Sequence, residues 1–238
     1  MNAANPVPNL DSLRAKHGAA GCVRELEQSA RHGLRARTML FLGALMRTDA
    51  TEDHVAAATA GGAHAITNVM TTIFSGDLAI DSLCLGALFR VWGGGVAPFD
   101  RVAVPTAVIV QAILDVSARH KANLHIHQAA LRLLKLHCLS SNTLILAPAV
   151  MSAVARAMRA FPSDDAINHY GAEAVSALNG IEQRDVTSVH GQSSYLYMCT
   201  LSIELAMTAA RPTTLFVAGK PWHEQVLRLY PRLRSQAR

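Results

Sequence analysis

Two adjacent aspartates, followed by a histidine and a tyrosine, are the residues that most suggest acid and base chemistry. Asp164 and Asp165 precede His169 and Tyr170 in the segment FPSDDAINHYGAEAVSALNG, residues 161–180. Two carboxylates can divide general acid and general base roles. Neighbouring residues on a helix point about 100° apart, however, and no third group is positioned by the sequence to hold this pair. An aspartate just before a helix accepts hydrogen bonds from free backbone N–H groups, so we interpret the pair as helix capping.

Histidines are densest between residues 120 and 137. The cluster consists of His120, His125, His127 and His137, and Cys138 follows it. Metal ligands on one helix face are spaced at i and i+4, whereas a two-residue step rotates the side chain by about 200°. His125 and His127 therefore face opposite ways. A zinc site at the turn that His120 and His125 flank stays an open alternative, but the sequence predicts no metal and no cofactor.

Two further motifs fall short of catalytic signatures. The glycines at 93–95 follow a helix instead of opening one, and no Lys-Ser or Lys-Thr comes after them, so a loop is predicted rather than a phosphate cradle. The segment HGQSSY at His190 lacks the glycine-flanked serine of a nucleophile elbow. The sequence therefore predicts that the chain is not an enzyme and has no catalytic residues.

The composition favours packed helices. Half of the 238 residues are hydrophobic, while 16% are charged and 5% are aromatic. The formal charge of +5 suits an acidic partner without requiring nucleic acid. The four cysteines are far apart and form no CxxC pair, so a reducing compartment is expected. No secretory signal and no transmembrane segment are predicted, which makes the cytoplasm the expected location, with cytoskeletal, nuclear and mitochondrial placement left open.

Basic residues concentrate near both ends of the chain. The C-terminal basic patch consists of Lys220, Arg228, Arg232 and Arg234. The N-terminal basic patch consists of Arg31, Arg35, Arg37 and Arg47. No aromatic platform is interleaved with the C-terminal patch, which favours a solvated helix face, with a nucleic-acid or acidic-partner surface as the alternative.

Helix pairs recur along the chain at a nearly constant period. In the second helix of each pair, equivalent positions lie 46, 46 and 41 residues apart, at Leu34, Ile80, Ile126 and Ile167. In the first helix they lie 44, 43 and 45 residues apart, at Leu26, Met70, Ile113 and Met158. Such a period is typical of stacked helical repeats, in which each unit supplies core for its neighbours. The sequence therefore predicts an all-α protein.

The segment HVAAATAGGAHAITNVM, from His54 to Met70, resembles the armadillo repeat in its short first helix, its Gly-Gly-Ala turn and the start of its second helix. Looser copies begin at His17 and Leu146, and the related HEAT class is the alternative. The resemblance covers most of residues 15–181 and implies a right-handed α-solenoid of about four to five repeats. We assign 1–10 to a flexible lead-in, 11–181 to the repeats, and 182–238 to a degenerate terminal repeat or cap with a basic tail.

In armadillo proteins the third helix of each repeat lines a groove that holds a peptide, and the karyopherin branch uses a ladder of tryptophans and asparagines there. Alignment on the repeat places Leu42, Leu88, Leu134 and Val175 at the tryptophan positions. It places Met46, Trp92, Cys138 and Asn179 at the asparagine positions. Only Asn179 matches, so a different groove chemistry is implied, and we select Trp92, Lys135 and Asn179 as partner-binding residues.

The resemblance implies a non-catalytic scaffold or adaptor that binds a protein or peptide through the solenoid surface, alone or within a larger complex. A nucleic-acid-associated or assembly subunit that uses the basic ends is the alternative hypothesis. Binding that falls steeply with salt would indicate the alternative.

Overall fold

The computed structural model describes residues 9–47, 51–72, 74–93, 106–137, 146–185, 216–217 and 220–221. These residues form nine α-helices and one pair of two-residue strands, so the prediction of an all-α protein is confirmed for them. The contacts divide the chain into two compact units, Met1–Ala112 and Ile113–Arg238.

The first unit contains five helices. They are α1 (Leu10–Arg31), α2 (Arg35–Met46), α3 (Thr51–Thr59), α4 (Gly62–Thr71) and α5 (Leu78–Gly93). Gly18 breaks α1 into two segments, because its φ of 62° and ψ of 171° are not helical and favour glycine. Within the unit, α1 contacts α2, α3 and α4, and α2 contacts α5.

The second unit contains the remaining elements. They are α6 (Thr106–Arg119, which begins before the division), α7 (Leu124–His137), α8 (Ala147–Ala160), α9 (Asp165–Asp185), β1 (Phe216–Val217) and β2 (Lys220–Pro221). The two strands pair antiparallel, with Phe216 opposite Pro221. Helix α9 contacts both α7 and α8. Helix α8 stops at Ala160, two residues before Pro162, as the proline predicts.

Three helices bury the same set of positions. Counted from Ile80 in α5, Ile126 in α7 and Ile167 in α9, the residues at i, i+1, i+4, i+5, i+7 and i+8 are all buried. This pattern is one continuous stripe on a helix of 3.6 residues per turn. In α2 the corresponding buried residues begin only at Thr38. Leu34, the predicted first member, is 44% exposed and lies before the first residue of α2, so its predicted equivalence to the three buried isoleucines is wrong.

The same three helices begin with a side-chain cap at the same distance from the first buried isoleucine. Asp77 Oδ1 accepts hydrogen bonds from Ala79 N at 3.0 Å and Ile80 N at 3.3 Å. Asn123 Oδ1 accepts one from Ile126 N at 3.1 Å, and Asp164 Oδ1 accepts one from Ile167 N at 2.8 Å. Each cap therefore stands three residues before the first buried isoleucine. The interpretation of Asp164 as a helix cap is confirmed.

The positions that the groove alignment assigns to tryptophan lie in the core. The residues at the tryptophan positions, Leu42, Leu88, Leu134 and Val175, have no exposed area. Side chains that are fully enclosed by the core of a unit do not line its surface. The less buried face of α5, α7 and α9 consists of other residues, which lie between the buried pairs of the stripe.

Candidate partner-binding site

The polar residues of the segment 161–180 separate into two groups. Asp164 caps α9 and also accepts hydrogen bonds from Gln128 Nε2 of α7, at 3.1 Å to each carboxylate oxygen. Asp165 is exposed, and His169 Nε2 lies 3.2 Å from Oε2 of Glu173. Asp164 therefore takes part in the packing of α7 against α9, whereas His169 belongs to a second cluster. The two aspartates do not form an acid and base pair.

Removing the Asp164 carboxylate should destabilise the fold more than removing its neighbour. Asp164→Ala is expected to lower the free energy of unfolding by about 0.5–2 kcal/mol, because α9 loses its N-cap. Asp165→Ala removes a first-turn charge that is exposed, and it should cost less, about 0.3–1 kcal/mol at most. Urea denaturation of both variants measures the difference. Equal losses would contradict the capping role.

A second cluster of polar side chains joins α7 to α9 at the surface. Lys135 Nζ lies 2.7 Å from Glu173 Oε2, and the two side chains are 34% and 25% exposed. The ring of His169 lies beside that of Tyr170, with 5.3 Å between ring centroids. The carboxylate of Glu173 therefore stands between two basic groups, one from each helix.

These groups extend along matching sides of the two helices. Gln128, Arg132 and Lys135 are spaced at i, i+4 and i+7 on α7, which places them along one side of that helix. On α9, His169, Tyr170 and Glu173 occupy adjacent turns. We name the surface formed by these six residues the α7–α9 face.

For two of the predicted partner-binding residues, the structure describes the helix that contains them but not the side chain. Trp92 lies in the last turn of α5 and Asn179 lies in α9, but their side chains fall outside the described part of the chain. Lys135 is placed on the α7–α9 face. Of the C-terminal basic patch, Lys220 belongs to β2, and Arg228, Arg232 and Arg234 lie outside the described residues.

The N-terminal basic patch is partly neutralised within the first unit. Arg35 donates to Asp77 from Nε at 2.5 Å and from its terminal nitrogen at 3.1 Å. This hydrogen bond lowers the pKa of the Asp77 carboxyl. Arg37 pairs with Glu25 and lies over the ring of Phe41. Both guanidinium groups therefore have acidic partners within the chain.

The histidine cluster does not assemble into a metal site among the described residues. His127 is buried, whereas His125 is exposed, as the two-residue helical step predicts. No group of three histidine, cysteine, aspartate or glutamate side chains suited to a metal ion occurs in the described ranges. Cys22 and Cys84 are buried free thiols, and desolvation raises the pKa of both.

Sequence reasoning missed three members of the α7–α9 face, Gln128, Arg132 and Glu173. Gln128 and Glu173 carry few local signals, since their partners Asp164 and Lys135 lie on another helix. The spacing of His169 and Glu173 at i and i+4 is the one sequence feature that indicates a contact.

No helix in the described residues combines the length and apolar character needed to cross a membrane. Comparison with protein-family models, with curated proteins and with solved structures gave no match. The functional proposal for this chain therefore depends on its own geometry.

Proposed function

We propose that the chain is a non-catalytic scaffold of armadillo-like helical repeats that binds a protein partner through the exposed face of its third helices. One observation carries the proposal: within the second unit, α7 and α9 bury the same six positions and leave the same remaining ones, i+2, i+3 and i+6, outside the core. In stacked repeat proteins, equivalent exposed positions on successive helices form an extended binding surface. Such a surface suits an extended or helical segment of a partner.

The α7–α9 face has the composition of a partner-binding site. Arg132 is exposed and Tyr170 is half-buried on it. Tyrosine and arginine are enriched among the residues that contribute most binding energy at protein interfaces. The ion pair between Lys135 and Glu173 ties the side chains of the two helices together before any partner arrives. A surface that is already ordered loses less entropy on binding.

The contacts of the N-terminal basic patch favour a protein over nucleic acid as the partner. Arg35 and Arg37 already pair with Asp77 and Glu25. Phosphate binding through these arginines would have to compete with those carboxylates. A nucleic-acid partner would bind with an affinity that falls steeply as salt is raised.

The test begins with partners captured by the full chain after chemical crosslinking and identified by mass spectrometry. Binding of the purified partner is then measured by calorimetry for the wild type, for Tyr170→Ala and for Arg132→Ala. Each substitution is expected to weaken binding by about tenfold or more, as at interface hot spots. Arg159→Ala, at an exposed position of α8, is the matched control and should leave the affinity within about twofold.

Three results would contradict the proposal. Equal affinities for all variants would show that the α7–α9 face is not the site. A binding curve that weakens about a thousandfold between low and moderate salt would indicate nucleic acid. Substrate turnover that is lost in His169→Ala, with the fold intact, would show that the chain is an enzyme.

A further inference from the structure

His127 links three parts of the second unit. Its side chain is buried, with the whole residue 4% exposed. Nε2 lies 3.1 Å from the carbonyl oxygen of Lys121, so Nε2 carries the hydrogen and donates to it. Nδ1 lies 3.1 Å from Ser117 Oγ and therefore accepts from that hydroxyl in the neutral ring. The ring also packs against Phe161, at 5.4 Å between centroids, so it joins α6, the α6–α7 turn and the α8–α9 turn.

The side-chain amide of Asn168 makes the equivalent contact at the start of α9. Asn168 stands 41 residues after His127, at the same position of the buried stripe, and is 3% exposed. Its Nδ2 donates to the carbonyl oxygen of Pro162 at 3.1 Å. Both side chains thus bind the carbonyl six residues earlier and hold the turn before their helix. A side chain that does not titrate can therefore make this contact with the carbonyl group.

We propose that His127 makes the junction of α6 and α7 sensitive to acid, because the neutral ring holds this junction together and a protonated ring would place a positive charge inside it. The inference is independent of the proposed partner, since it concerns only the packing of the second unit.

Burial and the charge of a nearby arginine both disfavour protonation of the ring. Burial lowers the pKa of His127 below its ordinary value of 6.5, and the positive charge of Arg156 on α8 acts in the same direction, while the hydrogen bond to the Lys121 carbonyl opposes both. Among the side chains that the structure describes, the other titratable or charged groups on the surrounding elements are Asp115, Arg119, His120, Lys121, His125, Arg132, Lys135, Arg159, Asp164, Asp165, His169, Tyr170 and Glu173.

The direction of the pH effect follows from this lowered pKa. The unfolded chain takes up a proton on His127 near pH 6.5, whereas the folded chain takes it up only at lower pH. Between the two values the unfolded state binds more protons, so the free energy of unfolding falls as the pH falls. The contribution is fully present above 6.5 and is lost as the pH passes through the folded value.

The experiment compares two histidines on one helix of the full chain. Urea midpoints are measured at about pH 8 and about pH 5.5 for the wild type, for His127→Asn and for His125→Asn. His127→Asn keeps an amide donor like that of Asn168 but removes the titration, and His125→Asn removes an exposed histidine two residues away. The wild type and His125→Asn should lose more stability on acidification than His127→Asn does.

A second measurement tests the inference in the wild-type chain, so it does not depend on whether His127→Asn folds. The ring proton signals of His127 are followed by NMR in the wild-type chain as the pH is lowered. A titration midpoint below 6.5, the ordinary histidine value, is the expected result. A midpoint at or above that value would overturn the inference, as would a His127→Asn variant that loses as much stability in acid as the wild type.

Discussion

Leu134→Ala is expected to lower the free energy of unfolding by about 2–5 kcal/mol, the range for truncating a buried leucine. Leu134 has no exposed area, and it occupies the same position of α7 that Leu88 occupies in α5 and Val175 in α9. Truncation removes apolar contacts on every side and leaves a cavity that packed helices fill only in part. Urea denaturation followed by circular dichroism measures the loss.

The matched control for Leu134→Ala is the same substitution at an exposed leucine. Leu78, in the first turn of α5, is 45% exposed, so Leu78→Ala should change the stability by about 1 kcal/mol or less. A loss at Leu134 no greater than the loss at Leu78 would mean that the buried stripe of α7 is assigned to the wrong face.

Helices were predictable from the sequence because their signals are local. The apolar stripe that starts at Ile167 and the stop at Pro162 need only a few neighbouring residues, and α8 ends and α9 begins at the predicted junction. The direction that a stripe faces is a different matter, because it depends on which helices pack against it. A shift of one residue rotates the face by about 100°, so alignment on the repeat alone does not establish whether Leu88 and Leu134 line a groove or, as the structure has them, lie in the core.

Part of the candidate site was likewise predictable. The cap at Asp164 follows from its sequence position, and the spacings of 46 and 41 residues predict its equivalents, Asp77 and Asn123. The pairing of Lys135 with Glu173 was not predictable, since 38 residues separate the two and no local pattern connects them. Long-range pairs depend on the relative rotation of two helices, which a single sequence does not specify.

Gly62→Ala should destabilise the chain by about 1–3 kcal/mol, the cost of forcing extra volume into a packed site. A Cβ at Gly62 would lie 2.8 Å from the backbone oxygen of Ala57, 3.1 Å from Val91 Cγ1 and 3.2 Å from Val23 Cγ2. These atoms belong to α3, α5 and α1, so three helices converge where α4 begins. Alanine also has a higher helix propensity than glycine, by about 1 kcal/mol, but this stabilising effect is smaller than the upper part of the packing cost.

Gly86→Ala is the control for Gly62→Ala, and it separates packing from helix propensity. A Cβ at Gly86 would meet Cε of Met46 at 2.7 Å and its Sδ at 3.0 Å, but these atoms end a flexible side chain that can rotate away. With that contact relieved, alanine inside α5 should stabilise the helix by about 0.5–1 kcal/mol. The two substitutions should therefore change the urea midpoint in opposite directions. A stabilising Gly62→Ala would show that α1, α3 and α5 do not meet closely at this glycine, so that packing would not require a glycine at position 62.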